Sequence, residues 1–257
     1  MITLDHVTVS FGGLKAVEDV SFEIPTAKIT GVIGPNGAGK TTLFNAIAGH
    51  VPSTAGRILL EGLDITTLKP HQRAALGLAR TFQIPQEFAR LTVLENLMAA
   101  APAPLGENVF NVMFRRRRYV AEEEAVHGAA RDTISFLELD GVALEKAGNL
   151  SGGQKKLLEL GRALMRNPKI VLLDEIGAGI NRTLLAKIAA KIKLLNSERG
   201  LTFCLIEHDL DYVSKLCGEV VVMAQGGMLM RGTVDQVRRD ERAIEAYFGA
   251  GKYEARA

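Results

Sequence analysis

Lys40 and Thr41 stand directly behind a run of glycines, GPNGAGKTT from Gly34 to Thr42, and residue types in that order suit the capture of phosphate. Gly34, four residues, Gly39, Lys40 and Thr41 spell G-x-x-x-x-G-K-[ST]. Gly34, Gly37 and Gly39, interleaved with Pro35, Asn36 and Ala38, let the backbone take positive φ and approach a ligand closely. Successive N–H groups then turn inward as an anion nest above the positive end of a helix dipole. Lys40 supplies a point charge for β and γ phosphates, the Thr41 hydroxyl is placed to hold Mg²⁺, and Thr42 extends the loop into the helix. A second glycine pair, Gly152 and Gly153, lies in LSGGQ (Leu150 to Gln154) ahead of an apolar-periodic stretch beginning near Lys155. Ser151 can cap that helix, while the glycines leave its N–H groups open to another anion. Two carboxylates, Asp174 and Glu175, close the apolar run in IVLLDE, and open α/β sheets bind ligands at the carboxyl ends of their strands.

These residues need a scaffold of strands and helices, and the patterns supply one. KITGVI, from Lys28, reads as a buried strand, and LFNAIAG after the glycine turn as a helix. ITLDHVTVSF, VEDVSFEI and GRILLEGLDIT alternate with period two and predict a small antiparallel layer. From about Pro70 to Leu150 the character is helical, with a break at AAAPAPLGEN and a long helix through Val126, Ala130, Ile134 and Leu137. An α/β pattern then returns: a helix through Leu157, Leu160, Gly161 and Leu164, a strand at KIVLLD, a helix at LLAKIAAKIKLL and a strand at LTFCLI. A hairpin around Gly226 and Gly227 and a tail helix follow. No internal repeat is visible, so one nucleotide site is expected.

Composition narrows the function classes. A chain of 257 residues can bury a full α/β core. The two cysteines, Cys204 and Cys217, lie in apolar surroundings and suit buried thiols in a reducing cytoplasm. MITLDHVTVSF has no basic segment followed by an apolar core, so no signal peptide is expected. No uncharged apolar run reaches the roughly 18 to 20 residues of a spanning helix, and the chain is expected to be soluble by itself. A net charge of +2 and the lack of tryptophan give no base-stacking platform, so no nucleic-acid partner is expected. The run Arg115 to Arg118, followed by Glu122 to Glu124, reads as a solvated helix with i,i+4 pairing before it reads as a membrane-facing or partner-facing patch.

LSGGQ beside a phosphate loop is the signature of ABC ATPases, and the chain resembles the nucleotide-binding subunit of an ABC transporter over nearly its whole length. The resemblance implies an α/β P-loop NTPase with an antiparallel β subdomain and a helical insertion. It would form a single ATP-binding domain over 1–257, with 1–69 and 151–257 as core and β layer and 70–150 as helical subdomain. It also assigns roles. Asp174 would bind Mg²⁺ through water or indirectly, and Glu175 would orient and polarise the attacking water. Gln83 in TFQ matches the glutamine that reaches Mg²⁺ and the attacking water, and His208 in LIEHD matches the switch histidine at the γ phosphate. Phe11 lies where the family stacks an aromatic on adenine, and could equally be a core or hairpin phenylalanine. AGIN, Ala178 to Asn181, resembles the loop that crosses to the opposite subunit, but Ile176 replaces the proline usual after the glutamate. In the family, the P-loop of one subunit and the signature of another close around each ATP, so a second ATPase subunit, identical or different, is implied.

TFQIPQEFARLTVLENLMAA, the extended helical insertion, AGIN and the terminal IEAYFG together resemble the ATPase subunits of branched-chain amino-acid importers. That kinship implies transmembrane permease subunits, an indirectly associated solute-binding protein, and a place on the cytoplasmic face of the membrane. ATPases of lipopolysaccharide exporters and of urea or amide importers share much of this pattern. Soluble ABC ATPases, for example in iron-sulfur assembly, and a nucleotide-binding regulator without turnover are the alternatives.

Overall fold

The computed structural model describes residues 1–81, 86–102 and 116–248. In chain order the elements are β1 (Ile2–Phe11), β2 (Leu14–Ile24), β3 (Ile29–Ile33), α1 (Lys40–Ala48), β4 (Ala55–Leu60), β5 (Leu63–Asp64), α2 (Pro70–Ala75) and β6 (Leu78–Arg80). Helices α3 (Val93–Met98), α4 (Arg116–Phe136) and α5 (Gly152–Leu164) follow, then β7 (Ile170–Asp174), α6 (Arg182–Arg199) and β8 (Thr202–Ile206). The described chain closes with α7 (Leu210–Leu216), β9 (Glu219–Ala224), β10 (Gly227–Gly232), α8 (Val234–Val237) and α9 (Glu241–Phe248).

Two units divide the chain, one of Met1–Arg80, Lys169–Ile176 and the residues from Ile192 on, the other of Thr81–Pro168 and Gly177–Lys191. The first contains two sheets. An antiparallel sheet of order β2-β1-β4-β5 matches the three alternating segments. Ile2, Leu4, Val7 and Val9 of β1 are buried, and a register shift between Leu4 and Val7, where His6 takes φ 52°, keeps them on the core side. The larger sheet runs β10-β9-β3-β8-β7-β6, parallel except for the β9–β10 hairpin. Every residue of β3, β7 and β8 is buried, which explains why these segments read as continuous apolar runs without alternation.

Strand β6 corrects the wholly helical reading from Pro70 on. Its three residues are too few to show a period, and pairing with β7, Leu78↔Ile170 to Arg80↔Leu172, makes them a strand. The boundary between units therefore falls at Arg80/Thr81, against 69/70 from sequence, and the return at Pro168/Lys169, against 150/151. The second unit keeps α5, because Gly161 brings it against α3 and α4. A Cβ there would meet Leu137 Cδ1 at 2.8 Å and Leu97 Cδ2 at 2.9 Å. Ala130, Ile134 and Leu137 are buried along the expected face of α4 and just beyond it. Of the run Arg115 to Arg118, Arg115 lies outside the described residues and the others open α4. Among the described residues no helix is long and apolar enough to cross a membrane.

A buried arginine fixes the far end of α1. Arg73 Nη1 donates to the carbonyls of Ala46 (2.6 Å) and Ile47 (2.8 Å) in the last turn of the helix, where the i+4 partner is missing and Ala46 O otherwise accepts from the Gly49 cap N–H (3.1 Å). Its Nε and Nη2 donate to Leu68 O (2.9 Å) and Thr66 O (2.8 Å). Gly49 leaves room for the guanidinium, since a Cβ would lie 2.8 Å from Arg73 Nε and φ there is +81°. Arg73→Met removes all four bonds and strands desolvated carbonyls, and is expected to cost about 3 kcal/mol in urea denaturation.

Candidate functional site

The phosphate loop spans the gap between β3 and α1 and is shaped by three glycines at φ 150° (Gly34), 80° (Gly37) and 94° (Gly39). Their reasons differ. A Cβ on Gly34 would lie 2.1 Å from Met223 O, and on Gly39 2.3 Å from Ala16 O, so neighbouring backbone forbids a side chain at both. Gly37 has nothing within 4 Å of that position and is required by conformation alone. Ala38 is buried and its N–H donates to Pro35 O (3.3 Å), while Asn36 and Thr41 are exposed and Thr42 is half-buried.

Lys40, only 5% exposed, donates from Nζ to Gly34 O and Pro35 O, both at 2.8 Å. Burial pushes its pKa below the ordinary lysine value of 10.5, and the charges of Glu175 and Asp174 pull it back up. The ammonium thus has neutral carbonyls as hydrogen-bond partners inside a glycine cradle. That donor set fits a chain of phosphates, which would supply the missing contact charge.

Sheet topology brings the other groups to the same edge. The phosphate loop follows β3, His208 follows β8, Asp174 ends β7 with Glu175 directly after it, and these strands are neighbours in the order β3-β8-β7. Val32, Ile206 and Asp174 form one row across the sheet. Asp174 is buried, and its Oδ2 accepts from Arg80 Nη2 at 3.0 Å. Glu175 keeps its backbone N–H on Ile206 O (3.0 Å) and turns at φ 49°, in the left-handed region. Its Oε1 lies 2.5 Å from His208 Nε2. Ile176, where the family usually has proline, is buried in the core. A proline there would drive residue 175 toward extended backbone, so isoleucine is consistent with the left-handed Glu175.

The second unit carries the signature segment. Ser151 Oγ accepts from Gln154 N (3.3 Å), and Gln154 Oε1 accepts from Ser151 N (2.9 Å), a reciprocal cap that starts α5 at Gly152 rather than near Lys155. Leu150 is buried beneath it. The two glycines diverge in environment: Gly152 is exposed with open space around its Cβ position, whereas Gly153 is buried with that position 2.0 Å from Leu184 Cδ2. Only Gly152 keeps a bare face toward solvent, and Gly153 serves packing against the segment after AGIN.

Phe11 is 52% exposed at the end of β1, opposite Leu14 across a glycine turn, so it is a hairpin residue and not a core one. Gln83 lies outside the described residues. Among the described residues no three His, Cys, Asp or Glu side chains converge on a metal position. Thr41 and Asp174 still fit Mg²⁺, which takes one or two protein oxygens and otherwise phosphate and water.

The profile of the family described as ABC transporter matches residues 17–178. The chain belongs to the ABC transporter family. The probable branched-chain amino acid transport ATP-binding protein LivG of Archaeoglobus fulgidus is 40% identical over 240 residues, 93% of this chain and 92% of its own. The high-affinity branched-chain amino acid transport ATP-binding protein BraF of Pseudomonas aeruginosa is 36% identical, over 97% and 98%. A nucleotide-free ATP-binding cassette from an ABC transporter superposes with a TM-score of 0.84 at 38% identity, covering 97% of this chain and 99% of that one. As a member of this family the chain is an ATP-binding cassette that hydrolyses ATP.

Behind Asp174, Arg80 Nη1 donates to Asn45 Oδ1 (2.6 Å), a contact outside the nucleotide-facing groups and one that sequence reading missed. The signal for Arg80 was a lone charge closing the apolar stretch LGLAR. Asn45, inside α1, carried none.

Two of the loop glycines differ in what a side chain would cost. Gly37→Ala is expected to cost about 1–2 kcal/mol, the left-handed penalty alone. Gly39→Ala, pressed against Ala16 O as well, should cost more than about 3 kcal/mol by the same denaturation measurement. Phosphate raises the pKa of Lys40 that burial lowers, so ATP affinity is full while the ammonium is protonated. It falls as pH rises through the lowered pKa toward 10.5, which calorimetric titration across the alkaline range will read.

Proposed function

We propose that this chain powers a branched-chain amino-acid importer from the cytoplasmic face of the cell membrane, as one of two ATPase subunits bound to transmembrane permeases. A solute-binding protein is the indirect partner. The observation that carries the ATPase site is the row of neighbouring strand ends joining the Lys40 cradle, buried Asp174 and the Glu175–His208 pair. The solute class rests on the similarity to transport proteins of that name.

Gly34 to Thr42 hold the triphosphate, with Lys40 against the β and γ phosphates and Phe11 against adenine. Mg²⁺ would be held by Thr41, Asp174 and Gln83, and supplies charge neutralisation at the phosphates. Glu175 orients and polarises the attacking water, and His208, hydrogen-bonded to Glu175, contacts the γ phosphate. The Ser151 to Gln154 turn of the second subunit, with Leu150 packed behind it, presents the Ser151 hydroxyl and the Gly152 face to that same nucleotide. ATP thereby bridges the two subunits, and hydrolysis releases them to drive alternating access in the permease, with the Gln83 region as the mechanical contact.

Glu175→Gln is expected to bind ATP, lose turnover and accumulate as a closed dimer on size-exclusion chromatography. ATP binding without dimerisation, tested also with any co-purifying ATPase subunit, contradicts the scheme. Tagged Glu175→Gln protein purified in mild detergent with ATP should bring multi-span permeases and a second short ATPase. Recovery of soluble partners alone contradicts the importer assignment and leaves the ATPase site intact.

A further inference from the structure

Arg80 is the last residue of β6, and its side chain is 6% exposed against 2% for the carboxylate it meets. Its guanidinium reaches two side chains on different elements. Nη2 donates to Asp174 Oδ2 at 3.0 Å, and Nη1 donates to Asn45 Oδ1, on α1, at 2.6 Å. One rigid guanidinium therefore spans the helix that begins in the phosphate loop and the strand that ends in the acidic pair. A buried charge is retained only where its pairing geometry is good, and breaking one side leaves the other uncompensated. Arg80 also leads, through buried Thr81, into the segment that contains Gln83.

We propose that Arg80 is a positioning residue for the magnesium-dependent part of nucleotide binding, acting through the orientation of Asp174. The inference rests on the reading of Asp174 as the carboxylate serving Mg²⁺. With Oδ2 on the guanidinium and the guanidinium on Asn45, rotation of the Asp174 carboxylate requires breaking a desolvated ion pair. Its angle relative to α1, and so to Thr41, is thereby set before the metal arrives. The same pair offsets one of two adjacent negative charges, Asp174 and Glu175, which would otherwise repel each other at the strand end. Arginine is needed for this: its planar fork addresses two acceptors in fixed directions, whereas a lysine ammonium keeps the charge without the geometry. Mutating a partner that orients a metal's ligand typically costs about 10- to 100-fold in metal affinity.

The test compares binding of a fluorescent ATP analogue to the full-length protein in EDTA and across a Mg²⁺ titration, for wild type, Arg80→Lys, Arg80→Gln and Asn45→Ala. Arg80→Lys is expected to bind within about twofold of wild type in EDTA, and to need roughly tenfold more Mg²⁺ for half-saturation. Arg80→Gln should shift further in the same direction. Asn45→Ala, which releases only the second anchor, should shift less, and it carries the test if the Arg80 variants do not fold. Wild-type Mg²⁺ dependence in Arg80→Lys, or in Asn45→Ala if that variant must stand alone, overturns the proposal. So does an equal loss in EDTA and in Mg²⁺, which would make the arginine a support of the loop as a whole. A wild type with no magnesium-dependent gain overturns the assignment of Asp174 and the inference with it, a result distinct from unchanged behaviour in the variants.

Discussion

Positive charge taken out of water around a single short helix is the constraint on which the site depends. Lys40, Arg73 and Arg80 all lie in the interior of the first unit, and none can be left without compensation. Each is compensated differently. Arg73 saturates four carbonyls and so grips the negative end of α1. Arg80 pairs with Asp174 and with a side chain of α1 itself. Lys40, at the positive end, bonds two loop carbonyls and is desolvated beyond what they offset. The scaffold thus settles its structural cations and concentrates electrostatic demand where a polyanion is to be bound.

The second unit solves a different problem, that of bringing helices close. Gly161 lets α5 approach Leu137 and Leu97, and Gly153 lets its first turn approach Leu184. Glu138, at φ 57°, joins the chain after α4 to α6 through Lys187 (2.8 Å) and Lys191 (3.0 Å), and these two ammonium groups hold its pKa down to about 2. The capped turn carrying Ser151 and Gly152 is therefore seated on a tightly packed base within its own unit.

Much of this was legible in the sequence because the informative residues obey local rules. Glycine spacing, the Ser151 cap and apolar runs ending in Asp174 or preceding His208 each reflect chemistry within a few residues. What escaped was non-local. Strand β6 exists through pairing with β7, Arg80 gains its meaning from Asp174 and Asn45, and the different duties of Gly152 and Gly153 appear only once Leu184 is in place. Ile176 is similar: its departure from the usual proline draws notice in sequence, but its burial and the left-handed Glu175 before it are visible only in the fold.

The burial of both cysteines has a practical reach beyond the fold. Cys204 lies inside β8 and Cys217 just past α7, both as free thiols. Burial is the chief force driving each away from the thiolate, Cys217 up to about 12. Since the thiolate is the reactive form, maleimides and spin-label reagents find little to attack in the folded chain. A cysteine introduced at one exposed position would therefore be the dominant labelling site without prior removal of native thiols. Dyes placed in this way could follow the meeting and parting of two subunits by energy transfer, one turnover at a time.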